Sequence, residues 1–264
     1  MLVPNPKSDN LEYKLLYDVQ FVQGVIPLYH FFQLEKEDLF VMKKPKGCRN
    51  LSDIIDDIWK YNEDKELNFF ENYCYPLFKQ CFDALYGCYK KSVYHGDISL
   101  NNFLVDEELK VFLIDFGCGD YVKNKGFMSC DFKSGFKAFD EYNKPPEAYN
   151  DTTVHAEYAI IWALGIVLHK MLHGNEDETP FSNIKEILSD KVDINPELSP
   201  KSHAIINKCL EKDPRKRITF EQLEVLIQSW MPVSNPGSIP LFTPPPGFDS
   251  TPTPTPATIT PTDL

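Results

Sequence analysis

The chain opens with apolar residues at helical spacing. In DNLEYKLLYDVQF, Leu11, Leu15, Leu16 and Val19 fall on one face behind Asp9 or Asn10 as cap, which predicts a helix. Two strand-type runs follow, GVIPLYHFFQL and DLFVMKK, separated by the charged turn EKED. Helices then dominate. LSDIIDDIWKYN is amphipathic, with Ser52 or Asn50 as its cap, and LNFFENYCYPLFKQCFDALYGCYKKS is long, apolar on one face, and expected to kink at Pro76, which lacks a backbone donor. The runs FLV and KVFLID pair as a hairpin around Asp106. From Cys118 to about Tyr149 lies a loop too long and too polar to be mere connection. HAEYAIIWALGIVLHKMLHG is apolar nearly all round, the mark of a buried central helix, and stops at Gly174. FSNIKEILSD, SPKSHAIINKCLEK and TFEQLEVLIQSW predict three more helices. Past Trp230 the pattern ends: Pro, Thr and Ser dominate and almost nothing can be buried, so this segment is expected to be a disordered, solvated tail.

Composition narrows the picture. With 264 residues, 42% of them hydrophobic, the chain can bury a sizeable core as one large domain or two lobes. A formal charge of −12 argues against nucleic acid or an anionic membrane as the main partner and mildly favours basic peptides or proteins. No apolar run is long enough to span a bilayer. The seven cysteines form no C-x-x-C pair and follow no signal-peptide pattern, which points to reduced thiols in the cytosol or nucleus. Cys74, Cys81 and Cys88 recur every seven residues and would lie along one helical stripe, where packing is the expected role ahead of metal binding or redox sensing.

Residues 95–117, HGDISLNNFLVDEELKVFLIDFG, carry the candidate chemistry. Asp97, Asn102 five residues on, and Asp115 opening a D-F-G stand at the spacing that phosphoryl transfer from a nucleotide uses. Asp97 would accept or orient the proton of an attacking hydroxyl. Asn102 and Asp115 would hold Mg2+, which takes oxygen ligands in a near-octahedral shell and leaves several positions to phosphates and water.

With HGDISLNN, IDFG, KPPEAY, IWALGIVLHKML and CLEKDPRKRITFEQL in this order, the chain resembles a eukaryotic protein kinase, most closely the Pim group of serine/threonine kinases, from about Leu11 to Trp230. The resemblance implies an α+β, two-lobe kinase-like fold with a truncated N-lobe: residues 1–45 as a remnant N-lobe, 46–231 as a mainly helical C-lobe, and 232–264 as the tail. It implies ATP and Mg2+ as cofactors, Met42-Lys43-Lys44-Pro45 as the hinge between lobes, the Met42 and Lys43 region beside the adenine, and Leu104 beneath it. Glu12 falls where the family's regulatory helix carries the Glu that pairs with the ATP-binding lysine. Glu147 and Arg217 are expected to form a buried ion pair. His-Gly-Asp, where most protein kinases have His-Arg-Asp, also occurs in kinases of small molecules, the alternative class.

Several departures set the expectation for activity. Only eleven residues precede Glu12, without a G-x-G and with Lys7 as the sole lysine, so the family's first three strands and its phosphate-gripping lysine are missing from this sequence. Ser99 replaces a lysine that contacts the transferring phosphate, Gly135-Phe136 stands where relatives have a bracing Thr, and Ile160 replaces an Asp. Gly96 removes the Arg that would read a phosphate at Ser129 or Ser134. Asn50 and Asn101 replace acidic residues that select basic peptides in Pim relatives, while Asp53 remains. Three readings follow: a serine/threonine protein kinase impaired in ATP binding, a pseudokinase that binds a partner, or a fragment of a longer enzyme. The partner is a protein substrate or protein ligand; oligomeric state is left open.

Overall fold

Asn10 opens the first helix, α1 (Leu11–Val19), by accepting the Tyr13 N–H on its side-chain oxygen at 2.8 Å. The structure, a computed structural model, describes residues 9–35, 37–61, 67–123, 126–129, 144–149, 153–174, 187 and 192–230. Two units separate along the chain, Met1–Val233 and Ser234–Leu264, and every described residue lies in the first. In α1 the buried face comprises Tyr13, Leu15, Leu16 and Val19, whereas Leu11 is exposed. Tyr13 takes the place expected of Leu11 because its ring stacks on Phe31 at 4.2 Å.

β1 (Leu28–Gln33) and β2 (Asp38–Met42) form an antiparallel two-stranded ribbon, closed by Leu34 N–H donating to the Glu37 carbonyl at 3.0 Å. The first strand starts four residues later than the sequence suggests. Pro27 supplies no N–H to a ladder, and the preceding residues turn to another partner: Leu113 donates to the Gly24 carbonyl at 2.7 Å and accepts from Ile26 at 3.0 Å. The ribbon is thereby tied to a second sheet, in which β3 (Arg49–Asn50), β5 (Phe103–Val105) and β6 (Val111–Leu113) lie side by side.

α2 (Leu51–Tyr61) buries Leu51, Ile54, Ile55 and Ile58 at helical spacing. α3 (Leu67–Lys90) runs on through Pro76 and carries Cys74, Cys81 and Cys88 on its buried stripe. Burial pushes these thiols up, Cys88 to about 12, so they pack rather than react. Cys48, Cys74, Cys81, Cys88 and Cys209 are free. Gln80 of α3 holds the hairpin where its turn enters β6, donating to the Leu109 carbonyl at 2.9 Å and accepting from Val111 N–H at 3.1 Å.

Two short pairings escape the sequence pattern: β4 (Val93–Tyr94) with β7 (Asp120–Tyr121), and β8 (Phe127–Ser129) with β9 (Thr153–His155). Runs of two or three residues are too short to show a period. α4 (Ala156–His173) is the buried central helix and ends where Gly174 adopts φ +76° and donates to the Lys170 carbonyl. A side chain at Gly174 would overlap Trp59. α5 (Pro200–Cys209), capped by Ser199, and α6 (Phe220–Trp230) complete the fold. Among the described residues no helix is long and apolar enough to cross a membrane. The helix expected at FSNIKEILSD lies outside the described residues except for Ile187, which is buried; Ser134, Gly135-Phe136 and the Pro/Thr-rich tail also lie outside them.

Arg217, with a side chain 0% exposed, joins three separated stretches. It grips Glu147 with two parallel bonds of 2.7 and 2.9 Å, donates to the Tyr158 carbonyl at 2.8 Å and the Glu211 carbonyl at 2.9 Å, and lies 5.0 Å over the Trp162 ring. Removing one partner would leave the other charged and buried. Glu147→Ala and Arg217→Met are each expected to lower unfolding free energy by roughly 3 to 5 kcal/mol, read by urea denaturation.

His169 gives a pH prediction. It is buried, with Nε2 at 2.7 Å from the Asp193 carbonyl, and burial, reinforced by the neighbouring His173, lowers its pKa from 6.5 to about 3. The unfolded chain therefore binds the proton more tightly. Stability from this group is fully present above about pH 6.5 and declines as pH falls from there towards 3. Wild type should be about 2 kcal/mol less stable at pH 5 than at pH 7 through this residue, and His169→Leu should flatten that part of the slope.

Candidate active site

β4 delivers the chain into His95-Gly96-Asp97, a turn fixed by backbone geometry. Gly96 has φ +87°, and an added Cβ would overlap the Cys118 carbonyl oxygen. Glycine is therefore demanded twice, by conformation and by space. His95 is buried beneath the turn: its Nδ1 accepts the Asp97 N–H at 3.3 Å, so Nε2 carries the proton and donates to the Ile114 carbonyl at 2.8 Å. Burial lowers its pKa, in keeping with a neutral ring. Phe116 packs edge-on against it at 4.8 Å and is itself buried.

One 3₁₀ turn, Leu100–Asn102, brings Asn102 back to Asp97. The Asn102 amide donates to both the Asp97 backbone carbonyl and its Oδ2, each at 2.8 Å. Both amide hydrogens are thus committed, and the side-chain oxygen Oδ1 is the group left to offer a cation. The Asn102 backbone carbonyl accepts from Ile114 N–H at 3.0 Å, which ties this loop to the residue before Asp115. Asp115 is exposed and held at φ +63°, a conformation uncommon outside glycine. Its Oδ1 accepts the Gly117 N–H at 3.1 Å.

Glu12 of α1 reaches the same place. A Cβ on Gly117 would sit 3.1 Å from Asp115 Oδ1 and 3.6 Å from Glu12 Oε2, so the two carboxylates flank this glycine. Burial first, and the charge of Asp115 second, raise the Glu12 pKa. Among the described residues no ion pair includes Glu12. The site is acidic and open to a cation.

Of the remaining expected residues, Leu104 and Lys43 meet at Phe112, which sequence reasoning did not single out. Leu104 faces Phe112 across the β5–β6 ladder and Asn50 across the β3–β5 ladder. The Lys43 ammonium lies 5.0 Å over the Phe112 ring, while its N–H donates to the Pro27 carbonyl at 2.8 Å. That N–H is spoken for, so the Lys43 carbonyl is the group its backbone can turn to a ligand. Met42 ends β2 and is exposed. Phe112 was findable from hairpin symmetry: once FLV pairs with VFL about the Asp106–Lys110 turn, Leu104 must oppose it. An amide oxygen beside a carboxylate suits Mg2+, and among the described residues no three His, Cys, Asp or Glu side chains converge as a ready-made metal cage. A separate surface cavity of about 490 Å3, lined by Lys208, Lys216, Ile218 and Val225 among others, contains none of these residues.

A family model described as the protein kinase domain matches residues 5–231. The chain is 30% identical over 211 residues to the serine/threonine-protein kinase pim-2 of Danio rerio, covering 79% of this chain and 62% of that protein. It is 26% identical over 215 residues to the SNF1-like protein kinase ssp2 of Schizosaccharomyces pombe, 80% of this chain against 34% of that one. With the maternal embryonic leucine zipper kinase of Xenopus laevis it shares 27% over 209 residues, 76% against 29%. It therefore spans less than two thirds of each of these relatives.

The glycine at the turn yields a test that needs no substrate. Gly96→Ala is expected to destabilise the chain by at least about 2 kcal/mol, from positive φ together with the overlap, and Gly96→Arg no less. Chemical denaturation of both variants checks this; a neutral Gly96→Ala would contradict the turn geometry.

Proposed function

The chain belongs to the protein kinase family, and we propose that it is a serine/threonine-type protein kinase domain with the transfer side of its site in place and a weak grip on nucleotide phosphates. Such kinases use ATP and Mg2+ and act on proteins. In this reading residues 1–45 form the smaller lobe and 46–231 the larger, with 232–264 as a tail. Reduced thiols suit a cytosolic or nuclear setting.

The observation that carries the proposal is the Asn102 clamp: both amide hydrogens fastened to Asp97 at 2.8 Å, on a loop bonded directly to the residue preceding Asp115. It orients Asp97 to receive the proton of a substrate hydroxyl as that oxygen bonds to the γ-phosphorus and the bond to the departing ADP oxygen breaks. Asn102 Oδ1 and the Asp115 carboxylate would hold Mg2+, which supplies charge neutralisation to the phosphates when bound. Leu104 and Phe112 offer an apolar floor for the adenine, and the Lys43 carbonyl an acceptor for its amino group.

The weak grip rests on Glu12. Its carboxylate lies beside Asp115, and among the described residues no lysine or arginine forms an ion pair with it, so none of them is held by α1 to face the phosphates. A second reading, the same domain serving as a protein-binding module, draws on that one feature.

With Mg2+ and about 5 mM ATP, against a dissociation constant near 1 mM, the gain is about 1 kcal/mol, or a rise of about 2 to 4 °C in Tm. Asp115→Asn should abolish the Mg2+-dependent part of that rise. Asp97→Asn should keep the shift yet cut phosphate transfer to a serine- or threonine-containing protein by at least about 100-fold. Absence of any shift would overturn the nucleotide reading and leave the binding module.

A further inference from the structure

The surface cavity between the end of α5 and the start of α6 takes no residue from the candidate site. On one side α6 buries Phe220, Leu223, Ile227 and Trp230. On another, Gln222, Val225 and Leu226 stand three and four positions apart, and this second stripe lines the cavity with Val225 63% exposed. A lone surface valine would need no explanation. Here it borders a hollow of about 490 Å3 that also exposes the edge of the buried Ile218, a volume in the range of ligand sites.

The walls are fixed before anything binds. Thr219 and Gln222 cap α6 reciprocally: Thr219 N–H donates to Gln222 Oε1 at 3.1 Å, and Gln222 N–H donates to Thr219 Oγ1 at 3.4 Å. Ile218 N–H donates to the Lys208 carbonyl at 3.3 Å, which ties the end of α5 to the approach to α6. Between Lys216 and Ile218, Arg217 is anchored in the interior by Glu147. A hollow with such walls loses little conformational freedom when it is filled.

Charge identifies the occupant. The whole chain carries a formal charge of −12, yet residues 201–217 hold six basic side chains against two acidic ones. Lys208 and Lys216 belong to that stretch and line the cavity, and both are exposed. Among the described residues no ion pair includes Lys208, and the one that includes Lys216 is a 3.9 Å contact with Asp213, an acid held more closely by Arg215 at 3.1 Å. Glu221, the acid in the lining, accepts the Tyr86 hydroxyl at 3.1 Å and pairs with neither lysine. Two ammonium groups beside an apolar floor suit an anion joined to an apolar group. A carboxylate fits better than a phosphate, because the guanidinium that would fork a phosphate, Arg215, already spends Nε and Nη2 on the two oxygens of Asp213. A flat bilayer would leave the hollow unfilled, whereas a protruding side chain fills it. We propose that this cavity docks an acidic protein segment, which sets a bulky apolar side chain against Ile218, Val225 and Leu226 and its carboxylates beside Lys208 and Lys216.

Methyl NMR spectra of the full chain, titrated to about 1 mM with the peptide Glu-Asp-Leu-Phe-Glu-Asp, test this. The Val225 and Leu226 signals should shift and saturate, and high salt should weaken the effect. Replacing Leu-Phe by Ala-Ala, or the four acids by lysines, should remove the shifts over the same range. Val225→Glu, at an exposed position, should weaken binding at least about tenfold, read at Leu226, with an unaltered unfolding midpoint. Lys208→Glu with Lys216→Glu should weaken it as much and should give binding to the lysine-substituted peptide. Unmoved Val225 and Leu226 signals up to about 1 mM, shifts that survive either variant, or tighter binding through these residues to phosphatidylserine vesicles than to the peptide would each overturn the proposal.

Discussion

The buried guanidinium of Arg217 is the contact on which the helical part of this structure depends. It joins the turn at Pro146–Tyr149, the start of the central helix and the stretch after α5 through four hydrogen bonds and a stacked indole. Desolvating a charge is costly, so such a group is tolerated only when its surroundings are complete. That requirement works in both directions: the arginine holds the three segments, and the three segments must all be in place for it to remain inside.

The candidate site follows the same logic on a smaller scale. Backbone amides and carbonyls do most of the positioning: Asp97 N–H on His95, Ile114 N–H on Asn102, Gly117 N–H on Asp115. Side chains that would meet a substrate are therefore aimed by bonds that do not depend on the substrate. Among the described residues no ion pair includes Glu12, and its pKa is raised by burial first and by the neighbouring Asp115 charge second. On the proposed reading, transfer chemistry and phosphate binding are separable, the first assigned to the loop after β4 and the second to groups facing α1.

Much of this was legible in the residues. The helix over Leu11–Val19, the two ribbon strands, the hairpin about Asp106 and the buried central helix follow from spacing and turn chemistry, and the Glu147–Arg217 pair from the resemblance to the kinase family. The late start of β1 was not legible, because Gly24–Ile26 answers to Leu113, eighty-odd residues away, and no local pattern announces that partner. The short pairings of β4 with β7 and β8 with β9 escaped because runs of two or three residues show no period. Phe112 escaped differently: it reads as ordinary core until the hairpin register sets it opposite Leu104. Gly96 reads as a lost arginine, and only the backbone shows that the turn has closed over the space a side chain would need.

The bonding at Leu113 has a mechanical consequence. This one residue takes both the Gly24 carbonyl and the Ile26 N–H, and the exposed carboxylate of Asp115 follows two positions later. The ribbon and the carboxylate thus pivot on a common fulcrum. Only Ile114 separates that shared anchor from the carboxylate, so the ribbon and the acidic group are joined through backbone rather than through side-chain packing.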